Sequence, residues 1–259
     1  MTGHVQQAAS RAGDHPVLEA GARLGYAASG VLHLLLAWVT VQLAWTSGGE
    51  QADQQGALAQ LAENGLGLAL LWVLLVGFVL LALWQAAEAV AHGEAADRAK
   101  NAAKAITYGV LAATTLTVLL GGGSGGGGSG QATSTLLGSV GGRLLVGAVG
   151  VGVVAVGGYH VVKGWRESFL DDLRAHPAAW VRRSGRIGYV GKGAALAVVG
   201  VLLVVAAVRS DPEQAEGLDA ALHTLAGLPF GAVLLTLVAL GFAGYGVYAL
   251  AGRARYAKV

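Results

Sequence analysis

Residues 66–91 read LGLALLWVLLVGFVLLALWQAAEAVA, and the one ionisable side chain among them, Glu88, lies near the end. About 20 mostly apolar residues are enough to cross the hydrocarbon core of a bilayer, and this stretch has no polar face to turn towards water. On either side of it, five further stretches have the same character: Leu24–Trp45, Ala105–Leu120, Leu144–Val162, Ile187–Val208 and Phe230–Ala251. The third of the six, Ala105–Leu120, is the shortest. Composition agrees, with 54% hydrophobic and only 12% charged residues, where soluble domains carry about a quarter charged. An all-α bundle of six transmembrane helices is the expected fold.

Flanking charge gives the expected orientation. Arg11 and Arg23 precede the first span, and Arg98, Lys100 and Lys104 follow the second. Lys163, Arg166, Arg174, Arg182, Arg183 and Arg186 separate the fourth from the fifth, and Arg253, Arg255 and Lys258 follow the sixth. The other three connections hold only Arg143 and Arg209 as bases, beside Glu50, Asp53, Glu63, Asp211, Glu213, Glu216 and Asp219. Basic loops stay in the cytoplasm, so both termini are expected there, in a bacterial cytoplasmic membrane. The preference for Ala, Gly, Val, Leu and Arg over Lys and Ile is that of a high-GC bacterial genome. The net charge of +2 reflects this topology and not a nucleic-acid partner. Residues 1–22 lack the apolar core of a secretory signal and read as a cytoplasmic tail. The absence of cysteine excludes disulfides, thiolate metal sites and cysteine catalysis. The run Gly121–Gly130, GGGSGGGGSG, reads as a flexible external loop.

The chain repeats itself. RLGYAASGVL (Arg23–Leu32) opens the first span and RIGYVGKGAAL (Arg186–Leu196) the fifth, and Tyr26, Tyr108 and Tyr189 recur at spacings of 82 and 81 residues. ALAQLAENGLG (Ala57–Gly67) aligns without gaps on ALHTLAGLPFG (Ala221–Gly231), and both lead to a Gly-Phe pair, Gly77-Phe78 and Gly241-Phe242. Leu61, Gly67, Gly77 and Trp84 map onto Leu136, Gly142, Gly152 and Tyr159, and Trp84 maps onto Tyr248 in the last copy. The units are residues 23–99, 100–180 and 181–259. Each has two spans, so all three share one orientation as parallel repeats, for which pseudo-threefold packing is the natural arrangement and three units in a row without closure the alternative. Apolar residues at helical spacing in the external segments (Leu58, Leu61, Ala62; Leu222, Leu225, Ala226) predict short helices that lie at the interface or dip partway in.

The Gly-Tyr openings, the three-copy pattern and the stretch YHVVKGWRESFLDDL (Tyr159–Leu173) resemble the DUF1206 family of bacterial membrane proteins, over nearly the whole of residues 23–256. The resemblance supports the fold and implies no catalytic residues.

Ionisable residues inside spans are costly and therefore functional candidates. His33 lies ten residues past Arg23, about 15 Å along a helix, near the midplane. It suits a proton relay or ligand, or else is a neutral imidazole bonded to a nearby hydroxyl or carbonyl. Glu88 and Lys163 occupy equivalent positions and would form an ion pair around a threefold axis, or snorkel separately to the interface. Gln85 and His160 are likewise equivalent, one turn deeper. A haem held by His33 and His160 would need both at one depth, and they differ by several ångströms; no cofactor or metal is expected. Thr114, Thr115 and Thr117 are expected to bond carbonyls one turn back or a neighbouring helix. The pairs Gly25/Ser29, Ala148/Gly152 and Ala239/Ala243 are expected at close helix contacts. The run RESFLDDLRAHPAAWVRR reads as an amphipathic helix touching anionic head groups, or as a solvated loop.

No nucleophile–base pair or phosphate-binding motif is present, so the chain is not expected to be an enzyme. Two readings remain. One is a small channel or transporter with a pathway or cavity on the pseudo-threefold axis. The other is a non-catalytic accessory, scaffold or lipid-binding subunit with a membrane-protein partner.

Overall fold

A computed structural model describes residues 16–46, 54–62, 65–91, 95–121, 137–175, 177–210 and 218–257. The helices in chain order are α1 (Pro16–Trp45), α2 (Gln54–Ala62), α3 (Gly65–Ala91), α4 (Ala95–Leu119), α5 (Val140–Trp165), α6 (Ala179–Arg209), α7 (Leu218–Ala226) and α8 (Gly231–Tyr248). A short 3-10 helix, Ser168–Asp172, lies between α5 and α6, and α8 continues through a π turn, Ala249–Arg253, into α9 (Ala254–Tyr256). Six helical stretches among the described residues, 24 to 31 residues long, are long and apolar enough to cross a membrane. They correspond to the six expected spans. Large apolar side chains such as Ile106, Leu144, Val151, Val208 and Leu237 point outward, where lipid replaces water.

The helices outrun the apolar stretches. α1 begins at Pro16, inside the stretch read as a tail, and α4 begins at Ala95 and carries Arg98, Lys100 and Lys104 in its first turns. Hydropathy ends a span at the first charges, but Ala, Lys and Arg are good helix formers and the backbone continues through them. Proline at the first helical position costs nothing, because its missing N–H would have no helical partner there. The Gly-rich run beyond Gly121 lies outside the described residues.

Packing runs in the order α4–α3–α1–α8–α6–α5. The contacts are made by residues without side chains. A Cβ on Gly191 would lie 2.5 Å from the Gly241 Cα, which fixes α6 against α8, and one on Gly77 would lie 3.1 Å from Ala28 Cβ between α3 and α1. These two crossings occupy matching places in the first and last repeats. Contacts between repeats are comparably close. Gly150 and Gly157 on α5 meet Gly200 and Gly193 on α6, and Gly30 on α1 meets Gly246 on α8. Small residues let two backbones approach until their atoms are in dispersion contact, the main attraction left between helices in lipid.

The middle copy departs from the pattern. Val110 and Gly152 stand where Ala28 and Gly77 meet, yet Gly152 has nothing within 4 Å, Val110 is exposed, and α4 and α5 are not packed on one another among the described residues. The expected close contact at Ala148/Gly152 is therefore not made. The small-residue face that α5 uses is Gly150, Gly157 and Gly164 at seven-residue spacing, turned towards α6.

The external segments are the short helices α2 and α7. Ala57 and Leu58 on one, and their counterparts Ala221 and Leu222 on the other, are buried. α2 rests on α1, α3 and α4, and α7 on α6, α8 and α1. Each turns into the next span at a glycine. A Cβ on Gly67 would sit 1.8 Å from the Leu61 carbonyl oxygen, and one on Gly231 would sit 2.2 Å from that of Ala226. Thr114, Thr115 and Thr117 each donate to the carbonyl one turn back, at 3.0, 2.7 and 3.0 Å, as expected.

Gly157→Leu or Gly193→Leu is expected to destabilise the protein by about 1–3 kcal/mol through overpacking. Gly152→Leu should be neutral. Thermal unfolding in detergent micelles measures both, and equal sensitivity at Gly152 would contradict the open position of that residue.

Candidate functional site

The end of the bundle that holds both described chain ends and the Lys- and Arg-rich connections, called the basic end here, contains a cluster of cations and phenols. The helix geometry at Tyr248 makes it possible. Tyr248 is fully buried, and the π turn that follows it rotates the rest of the helix by about 100° relative to a regular α-helix. That turn carries Arg253. Its guanidinium carbon lies 4.0 Å from the centroid of the Tyr26 ring, a cation–π contact, and its Nε is buried without a hydrogen-bond partner. Tyr108 of α4, Tyr189 of α6 and Tyr245 of α8 are also within electrostatic reach of this guanidinium. The tyrosines that open the three repeats thus face a single cation.

Lys192 of α6 adds a second cation. Its Nζ lies 4.3 Å from the centroid of the Tyr245 ring, and it is within electrostatic reach of both His33 and His160. Lys163 of α5 is a third, 5.8 and 5.7 Å from the rings of Tyr159 and Tyr189. It donates to the Asp172 carboxylate at 2.8 Å. No other carboxylate is ion-paired to Arg253, Lys192 or Lys163 among the described residues, so positive charge exceeds negative.

A plug closes the basic end. Phe169 in the 3-10 helix is fully buried, stacks on Tyr189 with centroids 5.2 Å apart and meets Tyr248 edge-on at 5.0 Å. The Tyr248 hydroxyl donates to the Phe169 carbonyl at 3.2 Å. Glu167, with φ 57°, turns the chain back beneath the bundle, and its carboxylate lies 3.7 and 3.8 Å from Arg182 and Arg186. Leu173 bridges to Ala257, and the Arg174 N–H donates to the Tyr256 carbonyl at 2.7 Å. The amphipathic helix expected over this run is therefore not formed as such: a 3-10 turn comes first, and α6 begins only at Ala179. Phe169 buries its ring against Gly185, where a Cβ would come within 2.6 Å of the ring, and an uninterrupted surface helix would leave that ring outside.

The structure brings three of the five sequence-derived candidates to the cluster. His33 is buried on α1, its Nδ1–H donates to the Ser29 carbonyl at 2.7 Å, and its ring lies 4.5 Å from that of Tyr245. This is the carbonyl-bonded imidazole of the plainer reading. His160 donates likewise to Val156 at 2.8 Å and stacks on Tyr189. Lys163 pairs with Asp172, so the expected pair with Glu88 is not formed. Gln85 is buried on α3 with its Oε1 unpartnered. Glu88 is half-buried three residues further along α3.

Sequence reasoning missed Lys192 and Arg253. Lys192 had a signal, since it is charged where the other copies hold Ser29 and Leu111. Arg253 did not, since it directly follows an apolar stretch and counts there as a flanking charge. An arginine among tyrosine hydroxyls, beside the ammonium of Lys192, can bind an anion, because a guanidinium offers planar paired donors. No group of three His, Cys, Asp or Glu that would hold a metal occurs among the described residues.

The fold is that of a multi-pass helical membrane protein with a cluster of cations and phenols at its basic end. Three segments, residues 24–92, 99–167 and 187–257, match the family described as Domain of Unknown Function (DUF1206), and the chain belongs to that family. It is similar to the "Uncharacterized protein YxxB" of Bacillus subtilis (strain 168), 27% identical over 248 residues that cover 91% of this chain and 90% of that protein. No solved structure matches.

Phe169→Ala is expected to cost about 3–5 kcal/mol as a core truncation, and Tyr248→Phe only about 1 kcal/mol for one lost hydrogen bond. Unfolding temperatures of the purified variants test this ranking. A neutral Phe169→Ala would mean that the plug does not pack as described.

Proposed function

We propose that this protein is a carrier for an anionic substrate, bound between Arg253 and Lys192 in the half of the cytoplasmic membrane facing the cytoplasm. The observation that carries the reading is the Arg253 guanidinium, with a buried, unpartnered Nε and phenols from α1, α4, α6 and α8 about it. Arg253 is half-buried, and a charge held inside a helical bundle costs free energy unless it is compensated, which a bound anion would do. A gated carrier fits better than an open channel, because the Phe169–Tyr248 layer crosses the basic end. The role is binding and translocation without covalent chemistry.

The site lies on a pseudo-threefold axis in this reading. Two matching contacts support it, Gly30 with Gly246 and Gly193 with Gly157, and α4 packs on α3, the helices that carry the corresponding Ala112 and Ala82. In each, the first span of one repeat meets the second span of the repeat before it, cyclically. The seating of α2 and α7, each on its own two spans and the first span of the next repeat, supports the same arrangement. The distribution of Lys and Arg supports a placement of both termini in the cytoplasm.

Proteoliposomes tested with a panel of inorganic and organic anions should show uptake that falls about 10–100-fold in Arg253→Gln and in Lys192→Met, the loss expected for one charged hydrogen bond of about 1.5–3 kcal/mol. Arg253→Lys should retain part of it. Uptake of cations but of no anion would sink the reading. Reporter fusions after Asp53 and after Lys258 should place these positions on opposite sides of the membrane, the second in the cytoplasm.

A further inference from the structure

We infer that the anion is the head group of a membrane lipid, and that it enters sideways from the bilayer through the seam between α4 and α5. This rests on the anion-site reading above and specifies its substrate. In the first and last repeats the two spans are closed by Ala28 against Gly77 and Gly191 against Gly241. Their counterparts in the middle repeat, Val110 and Gly152, do not meet. Gly109 and Gly152 each have nothing within 4 Å, and Val110, Val149 and Val156 line the two helices as exposed apolar side chains. Every other neighbouring pair of spans in the packing order is in close contact.

Charge at the basic end of the seam matches a lipid in depth and sign. Lys104 on α4 is exposed and within electrostatic reach of Lys163 on α5, of Asp172 and of Arg253. Lysines at span ends extend towards the head-group region while their stems stay in apolar surroundings. A phosphate drawn to Lys104 and Lys163 would therefore stand at the entrance to the Arg253–tyrosine cluster, with its acyl chains along the apolar walls of the seam. A free anion has no use for those walls. An anionic glycerophospholipid uses both features.

Three probes separate the possibilities in mild detergent: phosphatidylglycerol, phosphatidylcholine and inorganic phosphate, each titrated against the unfolding temperature of the purified protein. Phosphatidylglycerol should raise it and phosphatidylcholine should not. Gly152→Trp fills the seam at a position with open space and changes no charge, so general attraction of anionic lipid to basic loops is unaffected. It should weaken the phosphatidylglycerol response at least tenfold and leave any response to inorganic phosphate unchanged. Lys104→Gln should weaken the lipid response several-fold, and Arg253→Gln should abolish the responses to both anions. A phosphatidylglycerol response that survives Gly152→Trp, or one matched by phosphatidylcholine, overturns the lipid inference. If inorganic phosphate still depends on Arg253 in that case, the anion site itself stands. No response to either anionic probe overturns both.

Discussion

The close approach of backbones at glycine sets everything else in this molecule. Between helices in lipid there is no hydrophobic gain from contact, since an acyl chain is as apolar as a leucine, and association depends on how nearly two backbones can touch. Gly157 against Gly193, Gly150 against Gly200, Gly30 against Gly246 and Gly191 against Gly241 provide that contact. These crossings also fix the rotation of each helix. Tyr189 lies between Gly188, pressed on the Tyr245 backbone, and Gly191, pressed on Gly241, so its ring is directed towards Phe169, Tyr245 and Tyr248. The phenolic cluster thus follows from packing that involves no phenol.

Most of the fold is legible in the sequence because it rests on periodic, local facts. Six apolar stretches, their flanking charges and the recurrence of Tyr26, Tyr108 and Tyr189 lead to the six helices, and the alignment of Ala57–Gly67 on Ala221–Gly231 leads to α2 and α7 with the same residues buried in each. The functional cluster is much less legible. Arg253 enters it through a single π turn, and no composition or periodicity marks where a helix takes on an extra residue. Phe169 is one aromatic in a charged run, and its burial depends on Gly185, a residue of another helix. Asp172 replaced Glu88 as the partner of Lys163 for the same reason: repeat equivalence predicts which residues share a depth, but the chain between α5 and α6 folds back and brings its own carboxylate nearer.

The middle repeat shows how one departure from internal symmetry acquires a consequence. Where Ala28 and Gly191 allow a span to touch its partner, Val110 adds two methyl groups at the crossing point. α4 and α5 turn instead to helices of the neighbouring repeats, α4 to α3 and α5 to α6 through its seven-residue ladder of glycines. The bundle keeps its contacts between repeats and gives up one contact within a repeat.

That exchange places the opening beside the charge. Lys104 and Lys163 belong to the two helices that part. Their charge would be unfavourable beside Arg253 if the seam were sealed, since three cations and one aspartate would share a medium of low dielectric constant. An open seam lets head groups and water screen them. The loosened repeat and the excess of positive charge meet at the basic end, which is why we propose the seam and the cluster as one site.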